Sequence, residues 1–75
     1  MQYIEMTGKT LLGLVDLTGM TADDLRKAGV TDETLVRVTR LGDLEMRKPL
    51  KWDVIGGLLG DFEQKLRNES GLDWA

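Results

Sequence analysis

Apolar residues recur along this chain mostly at spacings of three and four. "MQYIEM" alternates loosely and fits either a short strand or an ordered arm. After it, Leu11, Leu12, Leu14, Val15 and Leu17 form a broad apolar face that ends at Gly19, with Thr7 or Gly8 placed to cap this first helix. Thr21 caps a second helix. Asp23 and Asp24 lie in its first turn, where the positive end of the helix dipole favours acids; Leu25 and Ala28 face inward, and Gly29 ends it. Thr31 caps a third helix, again with acids in the first turn. Thr34 stands three residues on, so the cap lacks the reciprocal box. Leu35, Val38 and Leu41 then recur at spacing three as a buried stripe, leaving Arg37 and Arg40 on other faces.

"GDLEMRK" reads as a polar connection. Pro49 suits the first turn of a fourth helix, where the amide it lacks would be unpaired anyway. Ile55, Leu58, Leu59, Phe62 and Leu66 follow at helical spacing. Gly56, Gly57 and Gly60 weaken this helix by roughly 1 kcal/mol each relative to Ala, marking either close packing or a break near Gly60 that yields a fifth helix. "NESGLDWA" reads as a tail. The expectation is an all-α, compact four- or five-helix domain over 1–75, with its core at about 8–66 and a tail at 67–75. Its sheet content is limited to a pairing of the N-terminal arm. Leu14, Leu25, Leu35, Val38, Ile55 and Leu58 are expected in one core.

Composition narrows the chemistry. There is neither cysteine nor histidine, which removes disulfides, the common zinc sites and every histidine-based nucleophile relay. Ser70 is the only serine, so an enzyme is the least favoured class and no cofactor or small-molecule substrate is expected. No apolar run spans a bilayer and no signal-peptide pattern opens the chain, so the expected setting is the cytosol, with no membrane partner. The net charge of −3 is unevenly spread. Residues 36–51 hold Arg37, Arg40, Arg47, Lys48 and Lys51 against Asp43 and Glu45, a local +3 on a body of −6.

Several residues in this order resemble the repressor/Cro-type helix-turn-helix family. They are Leu11, Leu14, "GMT" at Gly19 to Thr21, Leu25, "GVT" at Gly29 to Thr31, Leu35 and Val38, then "MRKPLKWDVIGGLLG" as a basic stretch running into a Pro-led helix. The chain departs from the family's pattern at Ala22 and Arg26, in a stretch from Leu25 to Gly29 that is one residue short, and near Thr39. The resemblance implies a small DNA-binding regulator of the Cro-like repressor, excision-factor or antitoxin type, with a recognition helix at about 31–40 in the major groove of double-stranded DNA. Asp32, Glu33, Thr34 and Arg37 then stand at base-reading positions. Thr21, Thr31, Arg40, Arg47, Lys48 and Lys51 are the candidates for phosphate. A second copy is expected on DNA, with Trp74 and Leu72 as candidate dimer contacts.

The alternative is a protein–protein interaction module. "LLGLVDLTGMTADDLRKAGVT" resembles the central part of sterile alpha motif domains, and an acidic helix-turn-helix could equally grip a protein partner. "TGKT" at Thr7 to Thr10 has the ending of a phosphate-binding loop, but Tyr3 stands where that loop needs glycine, so it reads as a helix start. Asp23 and Asp24 read as dipole-stabilising acids rather than metal ligands. Trp52 reads as core packing. Trp74 either folds back on Tyr3 or meets another chain.

Overall fold

The computed structural model describes residues 2–75. The chain runs through β1 (Tyr3–Thr7), α1 (Gly8–Leu12), a 3-10 turn at Val15–Leu17, α2 (Ala22–Lys27), β2 (Leu35–Thr39), β3 (Asp43–Arg47), β4 (Trp52–Gly57) and α3 (Phe62–Ser70). The strands form one antiparallel sheet in the order β1-β2-β3-β4. This overturns the all-α expectation. Three short helices lie over one face of a four-stranded sheet, and the described residues form no helix-turn-helix.

The two expected helices that became strands show why. Over Leu35–Thr39, Val36 and Val38 are fully buried while Leu35 and Arg37 point the other way, a period of two rather than three. β-branched Val36, Val38 and Thr39 lose side-chain freedom in a helix but pack well on a pleated sheet. Leu44 and Met46 repeat the alternation in β3, within the stretch read as a polar connection. Pro49 sits not at a helix start but in the β3–β4 turn, which the Lys48 amide closes by donating to the Lys51 carbonyl at 2.7 Å. At Gly56 an added Cβ would lie 2.7 Å from the Met20 sulfur, so the strand packs close under a methionine side chain that would have to move for a larger residue.

Elsewhere the local signals hold. Thr7 caps α1, its hydroxyl accepting from the Thr10 amide. The apolar face that follows does not continue as one helix to Gly19, because α1 stops at Gly13 and resumes only as the 3-10 turn. Thr21 caps α2 and exchanges hydrogen bonds with Asp24, a complete capping box. The Thr31 amide instead donates to the Thr34 hydroxyl, which makes a turn into β2 rather than a helix N-terminus. After Gly60 the chain does start a new helix, α3.

Ile4, Met6, Val36, Val38, Leu44 and Met46 supply the inner face of the sheet. Leu11, Leu25, Val30, Phe62 and Leu66 close over it from the helical side. Leu25 and Val38 belong to this core as expected. Leu14, Ile55 and Leu58 are only half-buried against it, and Leu35 is 41% exposed on the opposite face. Gly42, in the β2–β3 turn, has φ +90°, and a Cβ there would come 3.0 Å from the Phe62 ring, so both backbone and packing favour glycine. The far end of the chain also joins the sheet edge, since Tyr3 and Ala75 exchange backbone hydrogen bonds of 3.0 and 2.9 Å.

Candidate functional site: the outer face of the sheet

Because the helices cover one side only, the alternation that buries Val36, Val38, Leu44 and Met46 presents the intervening residues on an outer face. The middle row across the four strands is Glu5, Arg37, Glu45 and Val54. Arg47 and Trp52 face each other in the row on one side, next to Leu35, and Tyr3 and Thr39 in the row on the other.

Arg37 organises this face. Its guanidinium lies 3.8 Å from the centroid of the Tyr3 ring and 4.0 Å from that of Trp52. Its Nε donates to Glu45 Oε1, and both charged side chains are less than one-fifth exposed. The rings lean in from diagonal positions and remove the cation from water, while Glu45 supplies the compensating charge. A flat, weakly hydrated guanidinium suits such a stack where an ammonium does not. Arg37→Lys should therefore lower stability by about 1–2 kcal/mol, read from urea unfolding, although the charge is kept. A midpoint equal to that of the wild type would show that the stack contributes nothing.

The expected DNA-reading residues do not converge. Asp32 and Glu33 are exposed and Thr34 half-buried in the turn before β2, whereas Arg37 is committed to the stack, so no recognition helix carries the four. Of the phosphate candidates, Thr21 is occupied as the α2 cap and the Thr31 hydroxyl bonds that of Thr34. Arg40 lies in the β2–β3 turn, at the opposite end of the strands from Arg47, Lys48 and Lys51. There its Nη2 donates to Gln2 at 2.7 Å, Nη1 pairs with Glu63 at 3.6 Å, and the guanidinium stacks 4.4 Å from Trp74. Arg47, Lys48 and Lys51 do gather, at the β3–β4 turn.

The candidate dimer contacts divide similarly. Trp74 packs against the core of its own chain, its indole N–H buried without an acceptor, while Leu72 is 37% exposed. Tyr3, Glu45 and Trp52, all central to the outer face, were not among the sequence-derived candidates. The alternation of Leu35, Arg37 and Thr39, repeated by Asp43, Glu45 and Arg47, was the signal for an outer face that includes Glu45, whereas Tyr3 and Trp52 join it only through the strand register.

No protein family, curated protein or solved structure matches this chain. Among the described residues no group of His, Cys, Asp or Glu is placed to hold a metal ion, and no helix is long and apolar enough to cross a membrane.

The two sheet edges differ from the outer face in accessibility. On the β1 edge, Tyr3 is paired with Ala75. The β4 edge carries a bulge opposite Leu44 and Glu45, two glycines at Gly56 and Gly57, and Asp53 opposite inward-facing Met46. Bulges and inward charges of this kind discourage strand addition.

Proposed function

We propose that this chain is a non-catalytic protein-interaction module that engages its partner across the outer face of the sheet. The observation that carries this reading is the flanking of the Tyr3–Arg37–Trp52 stack by Leu35 and Val54, which are 41% and 58% exposed. Tyrosine, tryptophan and arginine are the residue types enriched at binding hot spots, and here they are already ordered by mutual stacking. Ordering them before binding removes part of the entropy cost of association. The face also mixes signs, with Glu5, Asp43 and Glu45 among its arginines, which disfavours a uniform polyanion such as duplex DNA.

The test is selection of short displayed peptides on the immobilised chain, followed by mapping of backbone amide shifts with the enriched sequences. Shifts should centre on Leu35, Glu45, Trp52 and Val54, and Leu35→Asp should abolish binding while leaving the circular dichroism spectrum intact. Enriched peptides that map to the exposed faces of α2 and α3, or that bind Leu35→Asp equally well, would contradict the proposal.

A further inference from the structure

The β3–β4 turn continues the outer face into a projection with its own character. Leu50 stands at the apex, 95% exposed, directly after Pro49, whose fixed backbone angle limits the freedom of the tip. Arg47, Lys48 and Lys51 flank it in the turn, and like Lys9, Lys27 and Lys65 none of them is ion-paired among the described residues; only these three of the unpaired cations are gathered in one turn. Arg47 also lies 5.7 Å from the centroid of the Trp52 ring, which joins the projection to the stack. An isolated exposed leucine is ordinary. This one shares its turn with three cations that have no carboxylate partner among the described residues, and Arg47 links that turn to Trp52.

We infer that the turn and the adjoining face bind a short acidic segment of a protein partner that also carries a large apolar side chain. This rests on the reading of the outer face as the binding surface. Carboxylates of the segment meet Arg47, Lys48 and Lys51, and its apolar residue packs among Leu50, Trp52 and Leu35. Charge placement selects a short segment over a duplex or a membrane. β2 begins beside the end of β3, so Asp32 and Glu33 lie at the same end of the sheet as the cationic turn. The whole molecule measures only 28 × 26 × 18 Å. An extended anionic surface laid across this end of the sheet meets those acids as well as the cations. A short segment places its carboxylates at the turn and only its apolar residue toward Leu35, so it does not confront those acids.

The experiment measures fluorescence anisotropy of two labelled synthetic peptides on the full chain. One alternates glutamate with leucine, and the other has every glutamate replaced by lysine. Duplex DNA and phosphatidylserine vesicles serve as parallel probes. The acidic peptide should bind, weaken as salt rises, and lose at least about tenfold in affinity with Lys48→Glu/Lys51→Glu. Leu50→Ser should weaken it several-fold, and the lysine peptide should not bind. All three substituted side chains belong to the turn, and circular dichroism verifies that the fold is kept. Equal binding of the two peptides overturns the inference, as does tighter binding of DNA or vesicles that depends on Lys48 and Lys51. Binding lost in Leu35→Asp but untouched by Lys48→Glu/Lys51→Glu overturns the acidic-segment inference and leaves the outer-face reading standing. The reverse pattern overturns the outer-face reading.

Discussion

Replacing Gly8 by alanine is expected to destabilise the chain by at least about 3 kcal/mol, a large share of its total stability. A Cβ at this position would lie 1.8 Å from the Thr31 carbonyl oxygen and 2.8 Å from a Val30 methyl. The oxygen belongs to backbone, which cannot swing aside as a flexible side chain can. Gly8 is pressed there because its amide donates to the Thr34 carbonyl at 2.7 Å and the Lys9 amide to that of Asp32 at 3.1 Å. Relieving the clash means breaking this seam between the start of α1 and the turn that leads into β2. Overpacking usually costs about 1–3 kcal/mol, and a backbone clash this close belongs at or beyond the upper end. A chain of this size has only about 4–11 kcal/mol in total. Gly13→Ala is the control: its nearest contact is 3.4 Å, its φ is −79°, and its unfolding midpoint should hardly move. Equal midpoints for the two variants in urea unfolding would contradict the seam.

The second large effect is Leu25→Ala, expected to cost about 2–5 kcal/mol. Leu25 is fully buried in α2, within the cluster formed with the inner face of the sheet, so its loss leaves a cavity rather than a solvated gap. Leu35→Ala makes the informative pair. In a helix over 31–40, Leu35 would be a core residue with a comparable cost; in β2 it stands 41% exposed on the outer face, and about 1 kcal/mol or less is expected. Denaturant midpoints of the two variants, measured side by side, separate the arrangements. Similar losses for both would restore the helical one.

How far the chain could be read in advance depended on how local each signal was. The Thr21 cap and its acids, the end of α2 near Gly29 and the break before α3 are decided within a few residues, and they appear in the fold. The segment from Thr31 to Leu41 was harder, because Leu35, Val38 and Leu41 satisfy a helical spacing while Val36 and Val38 satisfy an alternating one. What decides between them is distant. Val36 pairs with Met6 and Met46, and Val38 with Ile4 and Leu44, partners that no short window contains. Pro49 was similarly ambiguous, since a proline that can open a helix also serves in a strand connection. Arg37 stood out by its charge and position, but its role followed from Tyr3, Glu45 and Trp52, which only the strand register brings beside it.

The outer face depends on β2 being a strand with Arg37 held between two rings. Nuclear magnetic resonance reports both properties at once. Backbone carbon shifts over Val36–Thr39 should be strand-like. The Arg37 side-chain protons should be displaced strongly upfield by Tyr3 and Trp52, with an Nε–H that exchanges slowly because Glu45 accepts it. Trp52→Ala should return most of that displacement without altering the backbone shifts of β2. Helix-like carbon shifts at Val36–Thr39, or Arg37 resonances at their solvent-exposed values, would contradict the outer face and the binding surface built on it.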